Sequence, residues 1–368
     1  MQITSEQVRW FRLQRSGLVE PFGDVATAVS HLIGIQAQIL QAGAVSLWNR
    51  TNGLTYAQFE TLLLAERSIV KLWGQRGTLH FYASQEWPLI YAAFAEKETW
   101  WLRNAEKMGL TKTQCQAIVQ EMMAILRQKQ IIGRSDLRAN MAIDDELLSS
   151  WGGLFQEMVY GGHACHAGKR GNEGLFAHRQ HWLPDLVWNP PDTEAANIEL
   201  LRRYLRGYGP ATIQDFAYWR GTAMSNGRRW LQSLHNEIAE VAVNGQTLLL
   251  LKDDLDILQA IEATEWPIRL LYRFDPYLLA HKDKSWLIDM KYYKRVWQVA
   301  GHIEGTVLDL GRTVGTWRYD RQGGGLVVTV FPFGRLRRAV RTAVRQQAQA
   351  MAQFFDLPLH DLQWTTST

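Results

Sequence analysis

Three times along the chain a run of helical segments leads into a two-stranded hairpin. In the first stretch Ser5 is placed to cap Val8-Arg9-Trp10-Phe11-Arg12-Leu13. Asp24 to Ile35 keeps helical spacing, and Thr55 caps Tyr56 to Leu64. Ser68 to Tyr82 follows as two strand-like halves about Gly74 and Gly77. The second stretch predicts helices over Lys112 to Gln128, from Gly133-Arg134-Ser135-Asp136, and from Asp144 to Val159, then a Gly/His-rich hairpin over 159–182. The third predicts helices over Ala195–Leu205, Ile213–Trp219 and Ser225–Leu234. Its strands Ile238–Val243 and Gln246–Leu251 are joined by Asn244-Gly245, the dipeptide favoured in two-residue hairpin turns. Helix, short turn, helix and hairpin is the winged-helix order, and three in tandem argue for a repeated module.

Residues 256–368 read differently. Short apolar runs at Ile268–Leu271, Trp286–Ile288, Thr306–Leu308, Val314–Trp317 and Leu326–Phe331 predict an antiparallel β unit. Arg335 to Phe355 predicts a closing helix with Arg338, Arg341 and Arg345 on one face. The expected fold class is α+β: winged-helix modules at 1–109, 110–190 and 191–255, and a C-terminal antiparallel β domain with a terminal helix at 256–368.

A composition of 46% hydrophobic and 21% charged residues excludes extended disorder. No apolar run approaches the roughly 20 residues of a membrane span. The opening residues lack a basic and apolar leader, and two cysteines cannot make a disulfide framework. A cytoplasmic protein is expected. The net charge of +4 is a weak pointer to any partner, yet 15 basic against 11 acidic residues at 256–368 account for all of it. Sixteen tryptophans fit helix-to-helix packing; the sharper alternative is that some indoles line a groove.

Few segments offer chemistry. In an extended Gln36-Ala37-Gln38, alternation puts both amides on one side with Ala37 opposite. A carboxamide is no base near neutral pH, but two of them can accept from and donate to one water and so position a nucleophile. The bland alternative is that they satisfy turn backbone. In Arg76-Gly77-Thr78-Leu79-His80, Arg76 suits a phosphate, while Thr78 and His80 suit orientation of neighbouring groups; the bland alternative is an ordinary hairpin with a surface arginine. His163-Ala164-Cys165-His166, with His178 and His181, matches no standard zinc spacing, and neither metal nor cofactor is expected. His281, Lys282, Lys284, Lys291, Lys294, Arg295, Arg312 and Arg318 fall in predicted strands and turns of the β unit. A basic hairpin there suits a DNA groove, a solvated face being the alternative. No phosphate-binding Gly-rich loop, Gly-x-Ser-x-Gly elbow or His-Glu-x-x-His helix occurs.

Ile33-Gly34-Ile35-Gln36-Ala37-Gln38, Arg76-Gly77-Thr78-Leu79-His80, Phe274-Asp275-Pro276-Tyr277-Leu278-Leu279 and Val314-Gly315-Thr316-Trp317-Arg318 occur in one order. Together they make the chain resemble the winged-helix DNA glycosylases, the AlkZ/YcaQ-like family, over essentially its whole length. The family's catalytic pair falls on Gln36 and Gln38. Gln38 stands where the crosslink-unhooking branch has Asp, which places the sequence nearer the AlkZ-like branch. Gly305 stands where proline is commoner. The resemblance implies a concave DNA cradle and monofunctional hydrolysis of the N-glycosidic bond of N7-alkylguanine, extending to bulky adducts or interstrand crosslinks. It further implies a monomer acting on double-stranded DNA without a membrane, in repair or self-resistance, near the nucleoid. A hairpin probing the minor groove would fall among Lys291 to Arg318. A non-catalytic winged-helix regulator is the alternative that the residues alone leave open.

Overall fold

Thr4 opens the first helix, α1 (Ser5–Arg15), through a reciprocal capping box with Gln7. Residues 3–95, 98–149, 152–262 and 265–365 are described in this computed structural model. By contact the chain forms two units, Met1–Glu60 with Ile198–Thr368, and Thr61–Asn197.

In the first unit α1 is followed by α2 (Val25–His31), the two-residue strand β1 (Ile35–Gln36), α3 (Leu40–Trp48) and α4 (Tyr56–Leu64), which leads out of the unit. Helix α3 was not expected. It is buried along most of its length, so it shows no polar stripe, and its N-cap Ile39 makes no side-chain hydrogen bond.

The second unit begins with β2 (Ile69–Trp73) and β3 (Leu79–Ala83), paired antiparallel from Ile69↔Ala83 to Trp73↔Leu79. Helices α5 (Trp87–Phe94), α6 (Trp100–Arg103) and α7 (Lys112–Lys129) follow, then β4 (Ile131–Ile132) and α8 (Arg134–Asn140). The single helix expected from Asp144 to Val159 is two, α9 (Asp145–Ser149) and α10 (Phe155–Tyr160). Gly152 and Gly153 stand between them at φ of 92° and 56°. A Cβ on Gly153 would run into backbone of the preceding helix. The unit closes with β5 (Ala164–Arg170), β6 (Glu173–His178) and α11 (Arg179–Trp182), giving the strand order β3-β2-β5-β6-β4.

The first unit resumes along α12 (Thr193–Tyr208), α13 (Ile213–Arg220) and α14 (Met224–Ser233), then the hairpin β7 (Ile238–Val243) and β8 (Gln246–Leu251). Asn244 and Gly245 take φ of 48° and 78°, the two left-handed positions a type I′ turn needs. Val8 and Phe11 of α1 pack on Val241, Val243, Leu248 and Leu250 of this hairpin. Beyond α15 (Leu255–Ala260) come β9 (Arg269–Leu271), α16 (Pro276–Leu279), α17 (Tyr293–Val296), β10 (Gly305–Asp309), β11 (Arg312–Gln322), β12 (Gly325–Pro332), α18 (Arg338–Phe354) and β13 (Leu359–Trp364). The sheet runs β13-β12-β11-β10-β9. It is antiparallel except at its edge, where α18 carries the chain back and β13 joins β12 in parallel.

Two expectations for this region are corrected. Trp286-Leu287-Ile288 is a turn, not a strand: the Leu287 and Ile288 amides both donate to Lys284 O, and both side chains are buried. Lys291, Lys294 and Arg295 lie on helical turns, Met290–Tyr292 and α17, and not on a hairpin. The tryptophans are largely core residues. Trp87, Trp101 and Trp317 are among the largest fully buried side chains.

Candidate active site and nucleic-acid interface

The Gln motif is reached through a tight reversal. Helix α2 ends at His31 with Leu32 as its C-cap, and the chain turns through Ile33 at φ 51° and Gly34 at φ 90°. The Gly34 amide donates back to Val29 O at 2.8 Å. A β-branched residue in the left-handed region costs about 1–3 kcal/mol, and Ile33 is held there in complete burial. Gln36 closes β1 and is 6% exposed, Ala37 is fully buried, and Gln38 is exposed in a bend two residues before α3. The expected alternation therefore does not continue through Gln38: the strand ends at Gln36, one amide is enclosed and the other open.

Supports come from distant segments of the same unit. Tyr208 Oη donates to Leu32 O at 2.7 Å, inside the reversal. Gly207 lies so close that a Cβ would stand 2.9 Å from His31 O. His281 in turn donates from Nε2 to Tyr208 O at 2.9 Å, and because burial pushes its pKa well down the ring is neutral with Nδ1 unprotonated. At the far end of α3, Asn49 Nδ2 donates to Leu270 O at 3.0 Å, and Arg50 pairs with Asp275. His31 is pushed down to about 4, first by burial and then by the charge of Arg15, so a neutral imidazole sits beside the reversal.

In the second unit Gln75–Gly77 is a single 3-10 turn with Arg76 at φ 54° and Gly77 at φ 74°, and Thr78 follows it in extended backbone. Gly74 N donates to Thr78 O at 3.0 Å, closing it, and Tyr82 Oη donates to Gln75. Arg76 and Thr78 are half-buried, whereas His80 is buried with Nδ1 donating to Thr78 O at 2.9 Å. His166 is half-buried, packed against Trp73 and Phe176, and Cys165 is buried. Burial, aided by Lys169, pushes Lys71 down to about 8.

The basic positions separate by burial. His281 and Lys284 are 3% and 4% exposed, and the Lys284 ammonium donates to His281 O while lying over Tyr218 and Trp297. Both are internal supports, so they leave the set of expected DNA contacts. Lys282, Lys291, Lys294 and Arg318 are exposed. Lys291 pairs with Asp289 at 2.8 Å, and Arg318 lies over Phe331. Arg295 is half-buried near the rings of Tyr292 and Phe333. Arg312 is half-buried at the start of β11, and Arg338, Arg341 and Arg345 are exposed on α18. The sequence reading missed Arg9 and Arg12, which lie on the same side of α1.

A sequence model of the AlkZ-like DNA glycosylase family matches residues 29–354, and the chain belongs to that family. It is 29% identical over 349 residues to the interstrand DNA cross-link repair glycosylase of Streptomyces sahachiroi, across 90% of this chain and 92% of that protein. The solved structure of the Streptomyces sahachiroi DNA glycosylase AlkZ matches with a TM-score of 0.84 at 27% identity, covering 99% of this chain and all of that one. Membership in a family of enzymes sets aside the non-catalytic regulator. Among the described residues no helix is long and apolar enough to cross a membrane.

Proposed function

We propose that this protein releases N7-alkylguanine from double-stranded DNA by hydrolysis, with Gln36 and Gln38 as the catalytic pair. The observation that carries the reading is the Gln-Ala-Gln junction itself, an enclosed and a solvent-exposed amide that follow directly on a braced helix-to-strand reversal. Alkylation at N7 makes the base cationic, so the C1′–N9 electron pair leaves with a neutral purine and needs no general acid. An ordinary glycosidase pairs two carboxylates because its leaving group is poor. Here the remaining demands are a held water and an environment that tolerates an oxocarbenium-like sugar. Amide oxygens accept hydrogen bonds from the water as its oxygen closes on C1′, and its proton passes to solvent. Arg76, Thr78 and His80 are proposed as support for the site. Lys282, Lys291, Lys294, Arg295, Arg312 and Arg318 are proposed as contacts to the strand.

Three winged-helix modules at 1–109, 110–190 and 191–255 and a β domain at 256–368 are the organisation we propose, each module's hairpin following its helices. The relative's description as an interstrand cross-link repair glycosylase supports extending the substrate to crosslinks. We further propose a monomer acting near the nucleoid. The test is base release from duplexes carrying N7-methylguanine or a nitrogen-mustard crosslink, with wild type and with Gln36→Ala/Gln38→Ala. Loss of release in the double variant is expected; equal release by both proteins would remove the site.

A further inference from the structure

The first unit holds a cleft of about 290 Å³ walled by α1, the tip of the β7–β8 hairpin, the turn around Trp286 and the turn from β10 to β11. Arg9, Arg12 and Arg312 all line it. Arg12 is committed to the protein, donating from Nε and Nη2 to Pro210 O at 3.0 and 2.5 Å and lying over Trp286. Arg9 has no acceptor for its guanidinium among the described residues, and its Nε is a buried donor left unpaired. Arg312 has one long contact, 3.4 Å to Ser285 O. Burial first, and then the nearby charge of Arg312, pushes the Arg9 pKa down against the weaker pull of Tyr277 and Glu6. Both arginines line the same cleft, and neither forms an ion pair among the described residues.

The backbone is shaped to admit Arg9. Gly311, at φ 68°, lies against its stem, and a Cβ there would stand 2.9 Å from both Arg9 Cγ and the Trp266 ring. Two carboxylates also line the cleft, and both are engaged locally. Asp215 accepts from Thr212 N and Oγ1 and from Lys282 N. Asp283 accepts from Ser285 N and Oγ. The cleft thus offers directed, unpaired donors more than bulk positive charge. Guanidinium forks match the two non-bridging oxygens of a phosphate, and an anion between them removes their repulsion.

We propose that Arg9 and Arg312 form a clamp for one phosphodiester of the DNA strand. The choice of DNA over a free phosphate rests on the function proposed above, and on the exposed hairpin tip, Asn244 to Gln246, at the rim of the cleft.

The test is binding of the full chain to an undamaged duplex, followed by fluorescence anisotropy across salt concentrations. Wild type is compared with Arg9→Gln, Arg312→Gln and the double variant, with a melting temperature for each. A single clamped phosphate predicts weaker binding and a fall of about 0.9 in the slope of log K against log salt. The double variant should lie close to either single one, because both arginines serve one anion. Arg312→Gln, at the half-buried start of β11, carries the test if Arg9→Gln disturbs the packing on Trp266. An unchanged slope in folded Arg312→Gln overturns the clamp. If the slope is unchanged and inorganic phosphate stabilises wild type but not Arg312→Gln, the anion is free phosphate and the assignment to DNA is overturned. Base release from N7-methylguanine duplex is recorded in parallel. A wild type that releases nothing, with variants that still lose slope, keeps the clamp and rejects the proposed reaction.

Discussion

Arg50 and Asp275 form a bidentate ion pair in which both side chains are wholly buried, with Nη1–Oδ2 and Nη2–Oδ1 each at 2.7 Å. Further hydrogen bonds engage both partners: Arg50 donates to Ser16 O and Ser46 O, and Asp275 accepts from Ser46 Oγ and Tyr277 N. The pair ties the end of α3 to the turn before α16, and α3 starts two residues after Gln38. Removing one partner strands a buried charge, so Asp275→Ala should cost about 3–5 kcal/mol in urea unfolding. Replacing both by apolar residues should recover much of that. A wild-type midpoint for Asp275→Ala would refute the anchoring role.

Tyr208 reaches the Gln motif only through the Leu32 carbonyl, which makes it a positioning residue. Tyr208→Phe leaves that buried carbonyl without its donor, at a cost of about 1–3 kcal/mol. Single-turnover base release should fall while duplex affinity holds. An equal loss in both measurements would instead indicate general loosening.

His31 gives stability an acid limb. Its folded pKa, about 4, lies below the 6.5 of the free side chain, mainly through burial. Below pH 6.5 the unfolded chain binds the extra proton first. The contribution, on the order of 3 kcal/mol, is therefore complete above pH 6.5 and fades as pH falls toward 4. His281 and His166 are shifted in the same direction by burial. Urea midpoints between pH 4 and 7 should fall less steeply for His31→Gln than for wild type; parallel curves would contradict this.

Gly305 occupies a place where a larger residue does not fit. It pairs with Trp317 across β10 and β11, and a Cβ would stand 2.8 Å from Trp317 O and 3.1 Å from its Nε1. That indole nitrogen donates to Leu271 O at 2.9 Å, joining β11 to β9. Gly305→Ala should destabilise by about 1–3 kcal/mol and shift the tryptophan emission. An unaltered spectrum and melt would show that the sheet yields there.

What could be read from the sequence was local. Thr55 with Gln58 starts α4 through side-chain to backbone bonds three residues apart, and Asn244-Gly245 makes its turn by itself. Gln36 and Gln38 were legible as a motif. Their surroundings were not, because Tyr208, Asp275 and His281 come from far along the chain and carry no signal of where they pack. The same limit misplaced His281 and Lys284. A histidine and a lysine in a basic stretch read as surface residues until a carbonyl and two aromatic rings are found around them. Strand β13 was missed for another reason: it adds a polar edge in parallel, supported by a preceding helix and not by a turn.

The interrupted order of the first unit sets a timetable. Arg50 leaves the ribosome 225 residues ahead of Asp275, and the whole of Thr61–Asn197 is made in between. At about 5–20 residues per second, that delay is roughly 11–45 s. For all of it the arginine lacks the carboxylate that completes its burial. The glutamines are thus synthesised long before the carboxylate that completes their anchor, so a partly made chain carries the motif without it.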